Sequence, residues 1–437
     1  MNRREFGASI LAVSSVALGA APAAVPASSQ PLRVNSERLL EHLRRLGEFG
    51  KNPQGGVSRV AYSEADLAGR DYVMELMDDV ALAPTIDAAG NIIGRRAGDD
   101  PSLTPLMFGS HIDSVPEGGN YDGPLGSLAA VEVVQTVLEH DVVTRHPLEV
   151  AIFQNEEGGK TGSRAMIGEV QPRELDLVTN SGFTIGDGIT RIGGDPAKLE
   201  AVAREPGSVA AYLELHIEQG GTLEQRGIDI GVVQGIVGIR RWYVTVEGIA
   251  NHAGTTPMNS RHDALLAAAR LIDAVNSVVR SESGSQVGTV GWIEASPGAP
   301  NVIPGRARLS LELRDLHMEK IERLFQEIRQ RALTIGEETG TAFSFDEFYL
   351  SAAALADRRI QQLVAEAADQ LGLTNVAMPS GAGHDAQSIA KLAPMGMIFV
   401  PSVGGISHSP NEFTRPEDVG NGADVLLHSL LKADRVL

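Results

Sequence analysis

The sequence predicts an α/β fold, a mixed sheet flanked by helices, interrupted by an inserted α+β domain. Short apolar runs of strand length alternate with stretches whose apolar residues recur at helical spacing, and several of the runs end abruptly in His, Asp and Glu. From about Gly231 the order becomes strand, helix, strand, strand, helix, strand, the β-α-β-β-α-β pattern of a self-standing ferredoxin-like unit. The earlier pattern resumes after it. Residues 221–350 are therefore read as an insertion between two parts of one domain, 30–220 and 351–437, and a length of 437 residues suits that division.

In chain order, Ser36 to Phe49 carries Leu39, Leu40, Leu43 and Leu46 as a helical stripe. Tyr62 to Leu82 reads as a second helix, with Ser63 as cap and Asp66 three residues on. Thr85 to Gly94 reads as a strand pair turning at Ala89 and Gly90. Leu106 to Phe108 is a buried strand, Pro124 to Glu139 a helix, and Leu148 to Phe153 and Ala211 to Ile217 are further strands. In the insertion the strands are Val232 to Val246, broken near Gly238, then Val287 to Ile293, Ala307 to Arg314 and Ala342 to Phe348. Its helices are Arg261 to Val279 and Ile321 to Gly336. A helix from Asp357 to Leu371 and a strand from Met395 to Val400 complete the fold.

The net charge of -19 argues against non-specific binding to nucleic acid or to an anionic membrane. With no cysteine, disulfides and thiolate catalysis are excluded, and a metal site must be built from His, Asp and Glu. Aromatics are only 4% while glycines number 48, which suits a loop-rich enzyme better than an aromatic-lined binding module. Arg3 and Arg4 precede an apolar run from Phe6 to Leu18 and an Ala/Pro-rich stretch with cleavage sites near Ala21 to Ala23. Residues 1–29 thus read as a signal peptide of the twin-arginine type, which places the mature protein in the periplasm or outside the cell. That run is too short and interrupted for a standard spanning helix, so no stable membrane insertion is expected.

Leu106 to Ala130, LMFGSHIDSVPEGGNYDGPLGSLAA, places His111, Asp113 and Asp122 around a loop that follows a strand. Asp113 can accept the second ring N–H of His111 and leave the other nitrogen for a cation. Asp122 can reach the same ion or lie between two. The strand ending in QNEEG supplies Glu156 and Glu157, which extended geometry turns in opposite directions, one to a metal and one to the space beside it. In ELHIEQG, Glu214, His216 and Glu218 alternate on one face and Leu213, Leu215 and Ile217 on the other. His384, Asp385 and His408 sit in Gly-rich loops beside the last strand. Ordinary polar loops would look similar segment by segment, but together His111, Asp122, Glu157, His216 and His408 form a mixed N/O ligand set for two cations. Paired ions about 3.5 to 4 Å apart lower the pKa of a shared water and polarise a carbonyl. Glu156, beside a ligand but free of metal, is placed to move a proton.

The segments GSHIDSVPEGGNYDGPLG, QNEEG, ELHIEQG, VEGIANHAGTTPM, NVIPG, ELRD, SGAGHDA and SHSPNE resemble, in order from Leu106 to Glu412, the zinc-peptidase-like M20 superfamily, within it the hydantoinase/carbamoylase amidohydrolases. The resemblance implies a zinc-peptidase-like catalytic domain with an inserted lid or dimerisation domain, a homodimer, and two divalent ions per subunit, Zn²⁺, Mn²⁺ or Co²⁺. It implies His111 and His216 on one ion, Glu157 and His408 on the other, Asp122 bridging, Asp113 orienting His111, and Glu156 as general base. It also implies that Arg314 and Asn301, from the inserted domain, bind a substrate carboxylate, that His252 helps hold the oxyanion, and that Gln219 and His384 line the metal-side pocket. A planar guanidinium fork suits a carboxylate. The implied activity is hydrolysis of an N-carbamoyl-L-amino acid, with allantoate hydrolysis and N-acyl amino acid or dipeptide hydrolysis as rivals. A metal-dependent solute-binding protein is the non-enzyme reading, and the intact Glu156 argues against it. After Glu157 the chain has GGKTGSR where the family has an SRF-like segment, which bears on the substrate accepted.

Overall fold

The computed structural model describes residues 31–437; the leader read in residues 1–29 lies outside the described residues. Helix α1 (Ser36–Leu46) buries Leu39, Leu43 and Leu46, and Asn35 caps it by accepting the amide of Arg38. Helix α2 (Glu64–Asp79) starts at Ser63, whose hydroxyl accepts the amide of Asp66. There follow β1 (Thr85–Ile86), β2 (Ile92–Arg96), β3 (Leu106–His111), α3 (Pro124–Glu139), β4 (Leu148–Phe153), α4 (Thr161–Met166), α5 (Ile185–Arg191), β5 (Ala211–Ile217), α6 (Thr222–Arg226) and β6 (Ile230–Ile236). The next stretch contains β7 (Gly238–Glu247), β8 (Asn251–His252), α7 (Ala264–Ser281), β9 (Val287–Thr289), β10 (Ile293–Ser296), β11 (Val302–Ile303), β12 (Arg306–Asp315), α8 (Met318–Thr339) and β13 (Ala342–Ser351). The chain ends with β14 (Ala354–Leu355), α9 (Arg358–Gln370), β15 (Asn375–Ser380), α10 (Asp385–Ile389), β16 (Met395–Val400) and α11 (Pro416–Val436).

Two sheets organise these elements. The larger, nine-stranded and mixed, runs β1-β2-β4-β3-β5-β16-β6-β14, with β15 also paired to β6. Its centre, β4, β3, β5 and β16, is parallel, so four strands end along one edge. These strands are buried on both faces, as their near-continuous apolar runs require. Helices α1, α3, α9 and α11 pack over one face, while α4 and α10 close the other around Met107, Phe153, Tyr212 and Phe399. The smaller sheet is antiparallel, β10-β12-β7-β13 with β9 on β12. Helices α7 and α8 cover one side of it, burying Val244, Val246, Leu309, Leu311 and Leu313, and Trp242 stacks on Phe325 at 4.0 Å.

The run from Val232 to Val246 breaks between sheets rather than within a strand. β6 stays in the large sheet, the Val237 amide donates to the carbonyl of Ser380 at the end of β15, and β7 opens the small sheet. The run from Val287 to Ile293 divides into β9 and the start of β10. Several elements carry no clear sequence signal, β15 and α11 among them. β15, NVAMPS, is short and holds a proline, whereas α11 is buried on most of its surface, so its apolar residues show no single stripe. Among the described residues no helix is long and apolar enough to cross a membrane.

Candidate metal centre

The site lies where the parallel strands end, the usual place for function in such sheets. His111 is the last residue of β3, and Asp122 stands two residues before α3. Between them and the helix, Gly123 has φ +85°, and a Cβ there would lie 2.4 Å from the His111 ring, so only glycine lets the ring and helix approach. After β4 the chain turns through Asn155 at φ +52°, sending Glu156 toward His111 and Glu157 toward His408. His216 lies within β5, and His408, at φ +53°, follows β16.

The Asp113 carboxylate, expected to orient His111, bonds main-chain amides instead. It accepts the amide of Glu156 on one oxygen and that of Glu157 on the other, each at 3.2 Å, so it fixes the turn that aims both glutamates. The His111 Nδ1 is closer to the main-chain carbonyl of Asp113, at 3.0 Å, than to its carboxylate, at 3.6 Å. The tautomer is thus set chiefly by a backbone oxygen, which side-chain spacing in a sequence does not reveal.

Asp122 stands between two groups of ligand atoms. Its Oδ1 faces His216 Nε2 at 3.1 Å and His111 Nε2 at 3.9 Å; its Oδ2 faces His408 Nε2 at 3.1 Å, and Glu157 Oε1 lies 3.5 Å from that nitrogen. The trios His111, Asp122, His216 and Asp122, Glu157, His408 each hold ligand atoms within 4.8 Å of one another. His216 Nε2 and Glu157 Oε1 are buried with no hydrogen-bond partner among the described residues. The carboxylates of Asp113, Asp122, Glu156 and Glu157 have only histidines as ion-pair partners there. Anionic groups so buried demand compensating cations, and this N/O donor set fits two divalent ions sharing Asp122.

The electrostatics follow from that crowding. Burial pushes Glu156 well above the usual carboxylate range, with Asp385 and Glu157 adding to the rise; burial and then Asp122 bring Glu157 to about 7. Asp122 is driven well below its usual range despite burial, by His216 and His408. His408 is raised to about 9, first by its contact with Asp122. His384 is held neutral by burial and by the nearby His216 ring, whose centroid is 4.4 Å away.

Gln219, at φ +57°, donates from Nε2 to Asp122 Oδ2 at 2.7 Å, and its Oε1 is buried without a partner among the described residues. His384 shares a 2.8 Å hydrogen bond with the Ser380 hydroxyl beside this cluster. Arg314 reaches the same loop, its Nη1 donating to the Gly381 carbonyl at 2.8 Å. His252 and Asn301 are not brought to the cluster; both are exposed, on and beside the separate β8/β11 ribbon. The His252 Nδ1 accepts the amides of Gly254 and Thr255, which leaves Nε2 protonated and outward as a donor.

Supporting residues were less legible. Glu412, the end of SHSPNE, accepts the amides of Tyr121 and Asp122 at 2.8 and 3.1 Å, and Ser407 Oγ lies 3.0 Å from both Asp122 and Glu412. Glu214 does not face an open polar side. It is fully buried and takes the hydroxyls of Ser110 and Tyr212 and the amide of Ala386, tying β3, β5 and α10 together. Its grouping with His216 and His384 therefore reads as support rather than a third ion site.

A family model described as peptidase family M20/M25/M40 matches residues 107–432. The chain is 43% identical over 402 residues to an N-carbamoyl-L-amino acid amidohydrolase of Geobacillus stearothermophilus, covering 91% of this chain and 98% of that one. It is 36% identical over 414 residues to a ureidoglycolate hydrolase of Arabidopsis thaliana, covering 92% and 87%. Among solved structures, an amidase of the hydantoinase/carbamoylase family from Burkholderia multivorans matches with a TM-score of 0.86 at 36% identity, over 92% of this chain and 98% of that one.

Proposed function

The chain belongs to peptidase family M20/M25/M40, in its hydantoinase/carbamoylase group, and from that premise we propose that it hydrolyses the ureido C–N bond of N-carbamoyl-L-amino acids. The products are the amino acid, ammonia and carbon dioxide. The observation that carries this reading is Glu156, largely shielded from solvent 4.0 Å from His111 yet outside both ligand trios, in a chain with 43% identity to a carbamoyl amino acid hydrolase. A binding protein would need the ligands but no such carboxylate.

His111 and His216 would hold one divalent ion, Glu157 and His408 the other, and Asp122 both, with Zn²⁺, Mn²⁺ and Co²⁺ the candidates. Such ions, when bound, acidify a water and polarise the scissile carbonyl. Glu156, whose buried carboxyl takes up a proton readily, accepts that water's proton at Oε and passes it to the departing nitrogen. Gln219, bonded to Asp122, and the neutral His384 would line the pocket beside the ions. Arg314 binds the α-carboxylate together with Asn301. The outward Nε2–H of His252 suits an oxyanion, and we propose that a homodimer formed through the inserted domain completes the site with it. The leader in residues 1–29 supports export by the twin-arginine route.

The identity to a ureidoglycolate hydrolase favours, as a second reading, another small ureido acid. Ammonia release from N-carbamoyl-L-amino acids, ureidoglycolate and allantoate, and free amino acid release from N-acetyl amino acids, assayed with each metal in turn, separate them. Fastest turnover of the carbamoyl amino acids is expected. Turnover of ureidoglycolate or allantoate alone would establish the second reading, and the absence of any turnover would remove both.

A further inference from the structure

Glu312 and Arg314 are two residues apart on β12 and so project to one face of the small sheet, the face opposite α7 and α8 where Leu311 and Leu313 are buried. Arg241 is the direct partner of Glu312 across β7 and shares that face. One carboxylate therefore holds two guanidiniums. Glu312 Oε1 accepts Arg314 Nε at 2.7 Å, and its Oε2 accepts Arg241 Nε at 2.6 Å. The Arg241 guanidinium also lies 4.8 Å from the Tyr349 ring centroid, which fixes its plane.

A guanidinium can meet a carboxylate through its Nε/Nη edge or through its Nη1/Nη2 edge. The Glu312 contact occupies Nε of Arg314 and blocks the first. On the second edge Nη1 gives one hydrogen to the Gly381 carbonyl, and Nη2 has no partner among the described residues. Glu312 stays ionised despite its burial, because Arg314 and Arg241 both bond it. The Arg314 side chain is 25% exposed and that of Glu312 21%, so the contact is partly sheltered from solvent.

We propose that Glu312 is a positioning residue for substrate recognition: it clamps Arg314 by Nε so that only the Nη1/Nη2 edge meets the substrate carboxylate, with Arg241 as the counter-anchor that keeps Glu312 centred. This rests on the reading of Arg314 as the carboxylate-binding residue. Pre-setting the edge removes the rotational search that a free arginine would make on binding. Loss of the clamp therefore acts on binding more than on the chemical step.

The test uses the full-length, metal-loaded enzyme, an N-carbamoyl-L-amino acid and its carboxamide analogue. Glu312→Gln, which keeps one acceptor oxygen and loses the charge, is expected to raise KM about tenfold for the acid while kcat changes by less than about threefold. Turnover of the carboxamide should move less than about twofold. Arg241→Gln, a milder change should the first variant fold poorly, is expected to raise KM for the acid about threefold and spare the carboxamide. Glu312→Gln combined with Arg314→Lys should be no worse on the acid than the poorer single variant, since nothing remains to be positioned. Equal losses on acid and carboxamide, in either single variant, or additive losses in the double variant would overturn the positioning role. If Arg314→Lys itself showed no carboxylate-selective loss, the reading beneath the proposal would fall with it. A selective loss there with none in Glu312→Gln or Arg241→Gln would sink the positioning role alone.

Discussion

Asp122 Oδ1 and His216 Nε2 stand 3.1 Å apart, and the nitrogen makes no hydrogen bond among the described residues. Two buried polar atoms at that separation with no bond between them suit neighbouring ligands of one ion. The other oxygen of Asp122 lies 3.1 Å from Nε2 of the half-exposed His408. Asp122→Asn should therefore lower the occupancy of both ions together. Elemental analysis after dialysis checks this, and loss of one ion with full retention of the other would show that Asp122 serves a single site.

The two adjacent glutamates should separate cleanly. Glu156→Gln is expected to keep its metal and lose roughly 10²-fold or more in kcat, the usual worth of a positioned base. Glu157→Gln should lose metal first, because its Oε1 is the buried, unbonded oxygen near His408. A metal-free Glu156→Gln beside a fully loaded, inactive Glu157→Gln would reverse the two roles.

Gly123→Ala tests the packing behind the ligands. The added Cβ would sit 2.4 Å from His111 Cε1, and φ of +85° already strains an L residue. We expect a loss of more than about 1 kcal/mol of stability and weaker metal retention, read by denaturant melts and by a competing chelator. Unchanged retention in a destabilised variant would mean that His111 is not held in place by this approach.

Stability of the chelated, metal-free protein should depend on pH through the contact between His408 and Asp122. The folded value for His408 is raised from the ordinary 6.5 to about 9, so its contribution is complete below 6.5 and is lost as pH rises through 9. Asp122 is lowered from 3.8, so its contribution is present above 3.8 and is lost on acidification through its folded value. This contact should thus stabilise the metal-free protein most from about pH 4 to 6.5. Metal affinity should run the other way over the upper range, rising toward pH 9 as His408 releases its proton. Thermal melts and metal titrations at matched pH would expose the opposite slopes, and parallel slopes would exclude His408 as a ligand.

The alternating apolar runs and the chemistry of their ends were legible in the sequence because they are local. A strand buried on both faces must be apolar along its length, as at Leu148–Phe153, so the polar residues that follow stand out. The same logic gave His111, Asp122, Glu157, His216 and His408 as candidate ligands and placed an α+β insertion in the middle of the chain. Helix α11 and strand β15 were obscure because burial on most sides or a short, proline-bearing run erases periodicity.

What the sequence by itself determined is therefore an α/β framework, a set of donor residues without cysteine, and their order along the chain. Tertiary structure alone decided which oxygen of Asp122 faces which histidine, that the Asp113 carboxylate anchors the amides of Glu156 and Glu157, and that Glu412 holds the amides of Tyr121 and Asp122. It also decided that His252 and Asn301 stand apart from the cluster while Glu312 joins two arginines. The reason is physical: residue type fixes what an atom can donate or accept, whereas contacts between residues up to about 290 positions apart depend on strand order and backbone turns that no local pattern encodes.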